Sequence, residues 1–178
     1  RSLASGRIEP MERVSQKRTR AVFEDLFRRY GLPKAIHSDN GAPFGCTRSA
    51  GNLTQLSARG KTLGIAVERS RPGCPQDNGA HERMHGDMAA ELQGTPASDI
   101  AEQRQVCERW RQEFNTIRPH EALQMRRPAQ VYRPSPRVYR REPEVGYPKH
   151  YAVRTVRRGG EIKWDGGLRF VSQSLAGR

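Results

Sequence analysis

Apolar residues recur along this chain in two rhythms. Over residues 16–30, Val22, Phe23, Leu26, Phe27 and Tyr30 return at three- and four-residue steps. That spacing predicts an amphipathic helix, and Gly31 and Pro33 should stop it. A short apolar strand follows at Lys34–His37 and runs into Ser38-Asp39-Asn40-Gly41, where Asn-Gly signals a turn. Residues 53–63 suggest a second helix on Leu53, Leu56 and Leu63, and residues 64–69 a second short strand. The Pro72-Gly73-Cys74-Pro75 stretch reads as a loop. A helix should restart near Asp77-Asn78-Gly79, where Asp and Asn are good caps, and reach about Leu92. Residues 98–115 predict a further amphipathic helix, with Ile100, Val106, Trp110 and Phe114 inside. Before all of these, residues 3–14 are only weakly strand-like.

The last third reads differently. Pro128, Pro134, Pro136, Pro143 and Pro148 fall among many Arg, which predicts a linker over 126–150 with polyproline character. From Tyr151 the pattern alternates through Val153, Val156, Ile162, Trp164, Leu168 and Phe170, with Gly pairs at the turns. That predicts short β-hairpins of a small module over 151–178. The organisation expected is therefore a core over 1–125, a linker over 126–150 and an incomplete β module over 151–178. The chain starts without Met and is read as a piece of a longer protein.

Charge sharpens this picture. The 178 residues carry a formal charge of +13, and 34% of them are hydrophobic. Residues 1–115 hold 18 basic and 14 acidic residues, and residues 116–178 hold 14 and 5, so the excess sits in the C-terminal third. Of the basic residues 27 are Arg, whose planar fork and permanent charge suit phosphate. A field of this sign favours a polyanion, unless it merely solvates the surface. Cys46, Cys74 and Cys107 are odd in number, widely spaced and without a CxxC pair, which fits a reduced, cytoplasmic protein. No apolar run approaches the roughly 20 residues that span a bilayer.

Two chemistries compete for His81-Glu82-Arg83-Met84-His85. H-E-x-x-H is zinc-peptidase spacing, with two His ligands one turn apart and a Glu base between them. Such sites need a third ligand, and nothing marks Glu102 or Glu108 as one; Cys46 and Cys74 are too far apart in sequence to signal a site. The other reading pairs Glu82 with Asp39. Carboxylates at a strand end and a helix start could share one face of a sheet and hold hard cations. Taken singly, each residue could merely cap a turn or favour a helix N-terminus.

Three blocks decide between them: "FEDLFRRYGLPKAIHSDNGAPF", "LGIAVERSRPGCPQDNGAHERMHGDM" and "EFNTIRPHEALQMRRPAQVY", in this order. Over about residues 15–135 the chain resembles the integrase catalytic core of bacterial insertion-sequence transposases, in the DDE superfamily that includes retroviral integrases. The resemblance implies an RNase H-like α/β fold, a mixed sheet flanked by helices. It implies metal-dependent phosphodiester hydrolysis and strand transfer in DNA transposition. Asp39 matches the second catalytic acid and Glu82 the third. With a first Asp they would bind two Mg²⁺ (or Mn²⁺) ions, and no zinc.

The expected partners are transposon ends and target DNA, with a homo-oligomer in the DNA complex and no membrane. A bacterial, nucleoid-associated location follows. Asn78, Arg83 and the pairs Arg126-Arg127, Arg140-Arg141 and Arg157-Arg158 are the expected DNA contacts. Two departures bear on activity. No residue here matches the first catalytic Asp, since Glu9 and Glu12 do not fit its motif, so these residues alone are expected to be inactive. Relatives tend to carry Lys or Arg seven residues after the catalytic Glu, where this chain has Ala89. The alternative reading is a catalytically inactive DNA-binding remnant of a transposase.

Overall fold

A computed structural model of the chain describes residues 4–39, 41, 43–45, 54–71, 74, 79–92, 94, 97–140 and 146–177. The first helix, α1 (Gln16–Tyr30), starts where Ser15 accepts a hydrogen bond from the Arg18 amide. It ends at Gly31, whose φ of 77° few other residues tolerate. β1 (Ala35–Ser38) follows, then α2 (Gln55–Thr62), opened by a reciprocal Thr54–Ser57 capping box. β2 (Ala66–Arg69) lies parallel to β1 in the register Ala35–Ala66 to Ser38–Arg69. A parallel pair needs a crossover, and α2 supplies it.

α3 (Gly79–Leu92) and α4 (Ile100–Thr116) come next. Asp99 caps α4 by accepting from the amides of Ala101 and Glu102. The short α5 (Pro128–Val131) packs against α4. An antiparallel hairpin of β3 (Glu161–Trp164) and β4 (Gly167–Phe170) stands near the end of the chain. Asp165 and Gly166 both have positive φ, the left-handed turn that suits a two-residue hairpin loop.

The chain is thus α/β, with helices and two small sheets. Among the described residues the mixed sheet expected from the sequence amounts to the parallel pair β1–β2. The C-terminal stretch forms one hairpin and a 3-10 turn at Gln173–Leu175 that lies against α2. Residues 4–14 form no strand. Instead the side chain of Asn115 holds Ser5 at 2.8 Å through both its backbone N–H and its C=O.

Phe27, Leu32, Leu63 and Ile65 form the core, with Phe23, Ile36 and Tyr139 packed against it. Tyr139 belongs to the Pro/Arg-rich stretch, and that stretch is anchored to the body. The Ser135 amide donates to the Tyr30 carbonyl, and the Leu32 amide to the Arg137 carbonyl. The Arg137 guanidinium donates to the carbonyls of Pro33, Leu63 and Gly64 at 2.8–3.0 Å. It therefore satisfies carbonyls that the end of α2 leaves open. Residues 132–139 act as a strap across the core. Their Pro content suits an extended path, and their fixed contacts come from Arg and Tyr side chains.

Candidate active site

β1 and β2 run in the same direction, so their C-terminal ends open on the same edge. Asp39 stands immediately after β1, with an exposed side chain. Its Oδ1 accepts a hydrogen bond from the Gly41 amide at 3.2 Å, which turns the chain away from the strand. The turn beyond it is held from β2, where Arg69 donates to the Phe44 carbonyl at 3.2 Å. Phe44 in turn packs edge-on against Phe23 of α1, with ring centroids 5.7 Å apart. Asp39 is therefore fixed to the best-packed part of the molecule.

Glu82 lies in the first turn of α3 and is exposed. His81, beside it, senses both acids. Partial burial and the neighbouring His85 push the His81 pKa below the usual imidazole value, while the negative charges of Asp39 and Glu82 oppose them. Carboxylates from a strand end and from a distant helix thus act on one imidazole. The His81 and His85 rings lie 4.1 Å apart between centroids, as i and i+4 residues on one helix face can.

The two carboxylates considered as a third zinc ligand, Glu102 and Glu108, are occupied elsewhere. The Glu102 carboxylate accepts from the Ser98 amide and hydroxyl, both at 2.7 Å. Glu108 is paired with Arg111. Cys107 is buried in α4, Cys74 is a half-buried free thiol, and Cys46 lies outside the described residues. Among the described residues no group of three or more His, Cys, Asp or Glu side chains is arranged to hold a metal ion.

Among the described residues, the Arg residues expected to meet DNA fall in four places. Arg83 is exposed on α3, next to Glu82. Arg126 and Arg127 are exposed before α5, and the Arg127 amide is taken up by the Gln130 side chain at 2.9 Å. Arg140 is exposed just past the strap, and Arg157 and Arg158 at the turn leading into β3. Asn78 and Arg141 lie outside the described residues.

Sequence reasoning missed the residues that connect these parts. Arg59 is 4% exposed, donates to Tyr139 at 2.8 Å, and pairs with Glu24 at 2.8 Å. Glu91 ties α3 to α4 through Arg118 and Trp110. Each is an ordinary helix residue in sequence, and the signal appears only when a distant partner is in place.

A cleft of about 240 Å³ lies between residues 6–9, α1 and α4. Its Arg7, Arg29, Arg104 and Arg111 are all paired, with Glu9, Asp25 or Glu108, so it is an ion-pair network rather than an open anion site. Among the described residues no helix is long and apolar enough to cross a membrane.

Residues 63–128 match the family described as "Integrase core domain". The match begins at the end of α2, takes in β2, α3 with Glu82, and α4, and stops at the first residue of α5. Asp39 precedes it. Integrase cores are of the polynucleotidyl-transferase type, have DNA as substrate and generally use divalent metal ions. Over residues 63–128 the chain is thus similar to integrase cores, which supports an integrase/transposase catalytic core of the DDE superfamily.

Proposed function

We propose that the chain is the core part of a DNA transposase of insertion-sequence type, with Asp39 and Glu82 as two acidic ligands of its metal site. The observation that carries this reading is placement: Asp39 directly follows β1 of the parallel pair and Glu82 stands in the first turn of α3, with His81 beside it under the charge of both. The donor chemistry fits: both are exposed carboxylates, the hard oxygen ligands that Mg²⁺ and Mn²⁺ prefer. Bound ions would stabilise the attacking and leaving oxygens of an in-line displacement at a phosphodiester. The protein's own part is positional. Gly41 holds one Asp39 oxygen and leaves the other for a ligand. Glu82 comes from the first turn of α3, on the far side of the crossover and loop from Asp39.

In this reading β1 and β2 belong to an RNase H-like sheet. Arg83 lies beside the acids, while Arg126, Arg127, Arg140, Arg157 and Arg158 grip phosphates away from them and fix the DNA without reading its sequence. Asn78 and Arg141 are assigned the same role. Copies of the chain assemble on the DNA. Two carboxylates without a third do not hold two ions in line, so residues 1–178 by themselves are expected not to cleave DNA. The competing reading, a DNA-binding remnant without catalysis, gains from Ala89, where relatives tend to place a basic residue.

The test is a Mn²⁺ titration of the chain followed by NMR. Line broadening should reach the amides of Gly41 and of residues 81–83 together, at millimolar metal. Asp39→Asn should remove it at both places. Broadening at only one acid, or broadening that survives Asp39→Asn, would separate the two carboxylates and defeat the assignment.

A further inference from the structure

α3 carries Glu82 but packs loosely. Its inner stripe of Met84, Met88 and Leu92 is only half-buried, and among the described residues no α3 side chain is fully buried. A half-buried apolar stripe holds a helix against its neighbour but resists rotation about the helix axis weakly, because apolar contact has no direction. Rotation is the motion that would swing Glu82 away from Asp39.

A directional contact opposes it. Near the C-terminal end of α3, the Arg118 guanidinium grips both carboxylate oxygens of Glu91. Trp110 of α4 adds a third donor, its indole N–H reaching Glu91 at 3.1 Å. Trp110 is 3% exposed, so its N–H has few alternatives to this acceptor. The Arg118 guanidinium also lies over the Trp110 ring, 5.4 Å from its centroid, and Trp110 stacks on Phe114 at 5.1 Å. The acceptor is thus bound by two donors that are themselves locked to α4. The Arg118 and Trp110 hydrogen bonds hold the Glu91 carboxyl below the usual carboxylate range. Glu91 lies two and a half turns beyond Glu82 at about 3.6 residues per turn, so the two project from opposite sides of α3. Holding Glu91 toward α4 turns Glu82 outward.

We infer that Glu91 is the positioning residue of the acid pair: clamped by Arg118 and Trp110, it sets the rotation of α3 and thereby the direction of Glu82. The inference rests on the metal reading of Asp39 and Glu82, and two measurements separate their fates.

The first is amide hydrogen exchange of the whole chain. Glu91→Ala should speed exchange of residues 82–86 at least tenfold and leave α1 unchanged. Glu91→Gln keeps an acceptor for Trp110 and should stay within about threefold of the original chain. An unchanged α3 in Glu91→Ala would overturn the latch. The second is the Mn²⁺ titration. In Glu91→Ala, broadening should persist at Gly41 and fall at least threefold at residues 81–83, with Glu91→Gln restoring it. A clamp that merely stabilised the fold would lower the melting temperature and leave the ratio of the two broadenings as it was, which would refute positioning. No broadening at either acid in the original chain would refute the metal reading, and exchange would then judge the latch alone.

Discussion

The two helices that follow the parallel strands' edge differ sharply in how they are held. α2 lies under the strap. Its Arg59 is buried against Glu24 and Tyr139, and the carbonyls at its end are taken by Arg137. Around it Phe23, Phe27, Ile65 and Tyr139 close a continuous apolar core. Among the described residues α3 has no such cover, and its contacts there are half-buried methionines and the Glu91 clamp. Asp39 belongs to the first environment and Glu82 to the second. The difference suggests a division of labour in which one acid is fixed and the other is carried on an element with a low local opening energy. In the proposed metal site, a cation that bound both acids at once would stabilise the looser helix by mass action.

The comparison breaks most easily through paired truncations. Ile65 is 1% exposed, and Ile65→Ala leaves a cavity that should cost about 2–5 kcal/mol. Met88→Ala, on half-buried surface, should cost less than about 1 kcal/mol. Urea midpoints followed by circular dichroism give both. Similar losses would show that α3 is packed as tightly as the core.

A smaller effect is expected at Gly31. Its φ of 77° disfavours any side chain, and a Cβ there would come within 2.4 Å of the Ser135 carbonyl oxygen. Gly31→Ala should destabilise by about 1–3 kcal/mol and should lift the strap. Limited trypsin digestion reads the second part, since cleavage after Arg137 should accelerate well beyond cleavage elsewhere. Uniform acceleration would mean that the strap is not a separate feature.

Local signals account for what was legible in the sequence. α1 spans Gln16–Tyr30 because Ser15, the apolar stripe and Gly31 lie within one stretch of chain, and the reading of 16–30 follows directly. The two short strands and α4 were readable for the same reason. The strap was not. Pro134, Pro136 and the Arg residues carry a linker composition, and what fixes residues 132–139 is the meeting of Arg137 with Pro33, Leu63 and Gly64, far away in sequence. The C-terminal alternation from Tyr151 suggested short hairpins, yet Tyr151 and Val153 stay exposed and, among the described residues of this stretch, β3 and β4 are the strands that pair. Alternation marks which residues could face a core; it does not supply the second layer. Asp39 and Glu82 came from motif resemblance. Their common action on His81 needed the fold, because a crossover and a loop separate them.

The smallest expected effect concerns acid, and it compares the two sides of α4. On the side facing residues 4–9, Arg111 donates to Glu108 at 2.6 and 2.8 Å and to the Ser5 carbonyl. The Arg111 hydrogen bond, against a desolvation cost and with help from Gln112, holds the Glu108 carboxyl at about 2. On the side facing α3, Glu91 is lowered in the same way by Arg118. A carboxyl whose folded pKa lies below its unfolded value, near 4.3, leaves the folded state binding fewer protons. Its contribution is fully present above that value and drains as pH falls from about 5 toward 2. Half of the Glu108 side chain meets solvent, so screening should keep its share below about 1 kcal/mol at neutral pH. Urea midpoints at pH 7 and pH 3 should therefore fall less in Glu108→Gln than in the original chain. The same comparison in Glu91→Gln should reduce the acid loss of α3 protection in hydrogen exchange and leave that of α1 unchanged. Parallel behaviour of all three proteins between the two pH values would place the acid sensitivity in other carboxylates, with Glu24, lowered by Arg20 and Arg59, the next to replace.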